Sequence, residues 1–106
     1  MNQPDMNNLL PRLQRWYLSR CDGAWEHSWG VKIGTLDNPG WSLAVNLRST
    51  ELEGRAFTPI KRGLDTLKPN ADWFTCHVEN QEFRGFGGPE KLAEMIAIFL
   101  NWAEAR

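Results

Sequence analysis

The chain has little that a metal, a membrane or a nucleic acid would use. Two cysteines and two histidines are its whole stock of thiolate and imidazole ligands. The longest apolar stretch, Met95 to Leu100, is far short of the roughly 20 residues needed to cross a bilayer. Neither sign of charge is in excess, with 12 Lys and Arg against 13 Asp and Glu. No segment carries the basic surplus of a phosphate-binding surface, so neither nucleic acid nor membrane is an expected partner. The amino terminus is polar and lacks the basic-then-apolar order of a secretory signal. A cytoplasmic location is therefore expected, with both cysteines as free thiols.

What is present points to one globular unit. A length of 106 residues suits a single domain, 1–106, that buries roughly two thirds of its unfolded surface and needs no disulfide or metal to fold. Six tryptophans are many for this length. Tryptophan offers large apolar area with one polar handle, useful in a core and at an interface alike. Four are expected in or beside the core and one or two on a working surface.

Periodicity sets the order of elements. After a leader at 1–7, Asn8 is placed to cap a helix over 8–20, with Leu9, Leu10, Leu13, Trp16 and Tyr17 at helical spacing and Arg12 and Arg15 facing out. Asp22-Gly23 ends it. From Trp29 the period becomes two, and it resumes at Trp41 after Asp37-Asn38-Pro39-Gly40, whose residue preferences are those of a tight turn. Two alternating runs joined in this way predict an antiparallel hairpin. A short strand is expected within 57–62, a loop over 63–70, a strand over 72–79 and its return over 83–86. Gly87-Gly88-Pro89 should open a closing helix whose stripe is Leu92, Met95, Ile96, Phe99, Trp102 and Ala103. The sum is an α+β fold, an antiparallel sheet of about five strands with the N-terminal and C-terminal helices packed on one face.

Chemistry concentrates in residues 21–30, where Cys21, Asp22, Trp25, Glu26, His27 and Trp29 crowd between helix and hairpin. Zinc ligation by Cys21, His27, Cys76 and His77 is disfavoured, because neighbours on a strand point to opposite faces. A Cys21 nucleophile with His27 or His77 as base lacks an orienting group and an oxyanion hole. Asp22 and Glu26 can serve acid–base chemistry, pair with Arg20, or cap a turn. Gly85-Phe86-Gly87-Gly88 lacks the lysine and hydroxyl of a phosphate-binding loop, and reads as a bulged strand end and helix entry. No catalytic set is complete and no cofactor or metal is implied. Aromatic anchors with acidic neighbours suit a basic protein partner instead.

The runs Trp16-Tyr17-Leu18-Ser19-Arg20-Cys21-Asp22-Gly23, Trp25-Glu26-His27-Ser28 and Thr35-Leu36-Asp37-Asn38-Pro39-Gly40-Trp41 resemble the immunity protein 53 family. So do Gly30-Val31-Lys32-Ile33, Asp72-Trp73, Gly85 and Gly87-Gly88-Pro89, so that the resemblance covers almost the whole chain. Ala24 stands where the family has an acid, Trp29 where a smaller aromatic is usual, and the 61–70 segment is longer than typical. Membership implies a small bacterial protein encoded beside a toxin of a polymorphic toxin system. Its expected function is to bind a cognate toxin domain, such as a nuclease, and occlude the active site without chemistry of its own. The expected contacts are Asp22, Trp25, Glu26, His27, Asp37 and Asn38, whose rival role is to lock the helix–loop–hairpin corner. A small enzyme using Cys21 with a histidine, and a scaffold with a peptide-binding edge strand, are the competing readings.

Overall fold

A computed structural model describes residues 7–63 and 72–105. The elements run α1 (Leu9–Arg20), α2 (Trp25–Ser28), β1 (Val31–Leu36), β2 (Gly40–Asn46), β3 (Ile60–Arg62), β4 (Phe74–Glu79), β5 (Glu82–Gly87) and α3 (Leu92–Glu104). The leader at 1–6 and the loop at 64–70 lie outside the described residues.

All five strands form one antiparallel sheet in the order β1-β2-β5-β4-β3. The hairpin register opposes Val31 to Val45, Ile33 to Leu43 and Thr35 to Trp41, as the period-two pattern requires. Asn80 and Gln81, both at positive φ (53° and 61°), make the two-residue turn from β4 to β5, the backbone twist that hairpins favour. The chain crosses from β2 to the far edge through 47–59, where Leu52 is fully buried. Leu52 is the anchor of that segment.

One face of the sheet carries Leu43, Val45, Phe74, Cys76 and Phe83, each at most 1% exposed. Both long helices lie on that side. α3 sits directly on β2 and β5, while α1 packs chiefly against α3. Phe99 of α3 links the layers, 5.0 Å from Trp16 and 5.2 Å from Phe83 between ring centroids.

The glycines of β5 explain how closely α3 can approach. A Cβ on Gly85 would lie 2.9 Å from Met95 Sδ, and one on Gly87 2.9 Å from Lys91 Cβ and 3.0 Å from Phe74 Cβ. Gly85 and Gly87 face the helix and Phe86 faces away, so the glycine run is a helix seat.

Several boundaries differ from the sequence expectation. The closing helix begins at Leu92, not within Gly87-Gly88-Pro89, with Lys91 at its N-cap. Pro89 stays in the preceding turn, where its carbonyl accepts the Trp41 indole N–H at 2.9 Å. Asn8 holds the cap position of α1 without a side-chain hydrogen bond, its backbone left-handed at φ 58°. Arg12, expected to face solvent, turns inward to Glu104 and Asn101 of α3. The fourth strand starts at Phe74 and the third is only three residues long.

Candidate functional site

Residues 21–30 form a corner that the chain itself stabilises. Gly23 takes φ 93°, a conformation open chiefly to glycine, and turns the backbone out of α1 into the four residues of α2. Asp22 Oδ1 accepts the N–H groups of Ala24 and Trp25, both at 2.9 Å. In return the Glu26 carboxylate accepts the N–H of Asp22 at 2.9 Å and of Gly23 at 2.8 Å. Two acids thus satisfy four amides, by the reciprocal logic of a capping box. The Trp25 and Ala24 amides hold the Asp22 carboxyl below its ordinary range. Glu26 is likewise lowered, first by its own backbone amide, then by those of Asp22 and Gly23, with a smaller contribution from His27.

Trp25 is the keystone of the corner. It is 3% exposed, meets Trp16 edge-on at 5.9 Å and donates its indole N–H to the Arg48 carbonyl at 2.9 Å. Helix α1, the corner and the end of β2 are joined through this one side chain. Arg20 pairs with Glu51, which leaves Asp22 and Glu26 to their capping bonds. His27 is exposed.

Asp37 and Asn38, both exposed, sit in the turn at the other end of β1. A six-residue strand separates them from the corner, roughly 20 Å. Of the six residues expected to touch a partner, Trp25 is buried, Asp22 and Glu26 are bonded to the corner's own amides, His27 is exposed on the corner, and Asp37 and Asn38 lie at the far end of β1.

The cysteines are apart as well. Cys21 Sγ donates to the Tyr17 carbonyl at 3.3 Å. Cys76 is fully buried on the core face, and burial, with a smaller effect of Glu94, pushes its thiol up to about 12. His77 points to the opposite face, bonded to Glu79 at 3.2 Å. Among the described residues no group of three or more His, Cys, Asp or Glu could hold a metal, and no hydrogen bond joins a cysteine to a histidine.

Among the described residues, neither long helix lies on the second face of the sheet. Lys32, Ala44, Asn46 and Arg84 occupy its alternate positions on β1, β2 and β5, in register across the three strands. Beside them the chain from α2 brings Trp29, 41% exposed, under the Arg48 guanidinium at 5.0 Å from the ring centroid. Together they border a cleft of about 320 Å³. Arg84 is neutralised by Glu82 at 2.9 Å. Sequence reasoning passed over this face, because polar alternates on a strand read simply as solvated. The available signal was Trp29, the one aromatic that continues the corner onto a face with no apolar partner.

No solved structure matches the chain. A curated rat protein, Tripartite motif-containing protein 72, is 31% identical over 80 residues. That segment is 74% of this chain and 16% of the rat protein, so the chain spans a small part of that relative's length. No described helix is long and apolar enough to cross a membrane. The family model described as Immunity protein 53 matches residues 10–104, from the first turn of α1 to the last residue of α3, and on that coverage the chain belongs to the immunity protein 53 family.

Proposed function

We propose that this chain binds a cognate toxin domain and neutralises it by covering its active site or substrate cleft, acting in the bacterial cytoplasm without chemistry of its own. Membership of an immunity-protein family over nearly the whole chain carries this reading. The geometry agrees with it in one respect. The acids and cysteines that would be needed for catalysis are committed to capping amides, to a carbonyl or to the core.

Within this reading the corner works mainly as architecture. Trp25 is enclosed, and Asp22 and Glu26 accept the corner's own amides, so His27, Asp37 and Asn38 are the exposed members of the expected contact set whose side chains carry no such bond among the described residues. A nuclease target rested on Asp22, Glu26 and Asp37 as mimics of phosphate. Only Asp37 among them has no hydrogen bond among the described residues, which weakens the case for a basic, nucleic-acid-binding partner.

Co-expression with the toxin domain encoded in the adjoining gene tests the proposal. Cells carrying both should grow, and the two proteins should co-purify. Growth arrest despite full expression of this chain would sink the reading. Protection retained by Cys21→Ser, whose thiol is lost, would remove the competing enzymatic reading.

A further inference from the structure

We infer that the open-face cleft beside Trp29 is the docking site for an acidic segment of the partner protein, with Arg48 and Lys32 receiving its carboxylates. This rests on the toxin-binding reading and deepens it by naming the chemistry of the partner.

Three cations, Lys32, Arg48 and Arg84, border the cleft together with one carboxylate, Glu82. Glu82 is committed to Arg84 through two contacts, at 3.0 Å to Nε and 2.9 Å to Nη2. Lys32 and Arg48 have no ion-pair partner among the described residues. The cleft therefore carries positive charge in a protein whose total is −1, which is a local arrangement and no consequence of composition.

Arg48 is also held ready. Its guanidinium lies over the Trp29 ring, an arrangement that orders the plane while leaving its N–H edge free for a carboxylate. Asn46 Oδ1 accepts the Arg48 backbone N–H at 3.0 Å, and the Arg48 backbone carbonyl accepts the buried Trp25 indole N–H. Ordering before binding lowers the entropy lost on association. Ala44 and Gly30 keep the floor low, so an incoming side chain can reach both cations. Beside the cleft runs β1, an edge strand with no paired strand on its outer side among the described residues, along which an extended segment can lie.

This explains the corner's acids in a new way. They do not face the partner; they fix the turn that carries Trp29, and Trp29 in turn places Arg48.

The test uses the full chain, ¹⁵N-labelled, titrated with a terminally blocked hexaglutamate peptide at low salt. The expected result is a saturable shift of the Trp29 indole and of the Gly30, Lys32 and Ala44 amides, fading as salt is raised. The Lys32→Glu, Arg48→Glu double variant should weaken it at least about tenfold, because it replaces both attractive contacts with like-charge repulsion. Arg15→Glu, on the exposed side of α1, should leave it unchanged. Because the Lys32 side chain is exposed and has no ion-pair or hydrogen-bond partner among the described residues, Lys32→Glu alone keeps the comparison valid if the double variant folds poorly. No saturable shift, an equal response to hexalysine, or an undiminished response in the charge-reversed variants would overturn the inference. So would inorganic phosphate producing the same shifts at equal concentration, which marks a small-anion site. Toxin co-expression separates the two levels of argument. If wild type protects and the charge-reversed protein protects equally, the cleft assignment fails and the toxin-binding reading stands; if wild type itself gives no protection, the toxin-binding reading fails.

Discussion

Arg12 of α1 grips Glu104 of α3 with two prongs, Nη2 to Oε1 at 2.8 Å and Nε to Oε2 at 3.2 Å. The same Nη2 donates to Asn101 Oδ1 at 3.0 Å. The arginine side chain is only 10% exposed although Glu104 is 52% exposed, so the fork closes over the groove between the two helices. It is the polar counterpart of the Trp16–Phe99 contact beneath.

Arg12→Ala should therefore cost more than an ordinary surface pair. Exposed pairs contribute about 0–1 kcal/mol, and a forked, largely covered guanidinium with a third acceptor should bring the loss to about 1–2 kcal/mol. Urea unfolding measures it. Arg12→Lys should recover less than half, because an ammonium cannot make the fork; full recovery would reduce the contact to simple charge attraction.

The glycine seat under α3 makes a prediction about order. Gly87→Ala should destabilise by about 1–3 kcal/mol, since its Cβ meets Lys91 Cβ and Phe74 Cβ, atoms that move only with the backbone. Gly85→Ala should cost less, because Met95 Sδ sits on a flexible side chain that can turn aside. Thermal melts of the two variants decide it, and the reverse order would contradict the proposed seat.

The fold was legible where one pattern ran long enough to leave no competitor. The hairpin followed from alternation on both sides of Asp37-Asn38-Pro39-Gly40, and both helices from apolar residues at helical spacing. What escaped were relations between distant residues. Nothing in the sequence distinguishes Arg12, which reaches across to α3, from Arg15, which is exposed. Leu52 stands alone in a polar stretch, so no periodicity marked it as core. The corner was found by its density of chemistry, but residue types do not say where carboxylates point. Asp22 and Glu26 look alike as contacts or as caps until the amides they accept are located. The cleft was hidden for the opposite reason, since its residues come from three separate stretches, 28–32, 44–48 and 80–84.

The two thiols should differ sharply toward a disulfide reagent such as Ellman's. Cys21 lies at a helix end and is half-buried, while Cys76 is fully enclosed with its thiol pushed up to about 12. One equivalent should react in the native protein and the second only on unfolding, because the thiolate is the attacking species. Cys21→Ser should abolish the native reaction; rapid labelling of Cys76 in that variant would contradict its burial.

Trp16 and Trp25 touch each other but should respond differently to phenylalanine. The Trp25 indole N–H holds the Arg48 carbonyl, whereas the Trp16 indole N–H is buried with no partner among the described residues. Trp25→Phe loses packing and strands a carbonyl, at roughly 1–3 kcal/mol for the lost bond alone. Trp16→Phe loses packing but also removes an unsatisfied donor, and should be the milder change in denaturant unfolding.

Acid should loosen the corner before the rest of the fold. Asp22 and Glu26 are lowered from ordinary values of 3.8 and 4.5, so protons bind them more weakly in the folded chain than in the unfolded one. The stability they add is thus present above the unfolded values and lost as pH falls through the folded ones. Stability measured by urea unfolding should be flat above about pH 5 and decline below about pH 4.5. Glu26→Gln, which keeps one oxygen acceptor but cannot titrate, should be less stable than wild type near neutral pH and show a shallower decline in acid. If the corner positions Trp29 and through it Arg48, the same variant should also lose hexaglutamate binding at neutral pH while Lys32 and Arg48 are both intact. Unchanged binding in a protein whose acid profile has flattened would separate the two and leave the corner as local architecture alone.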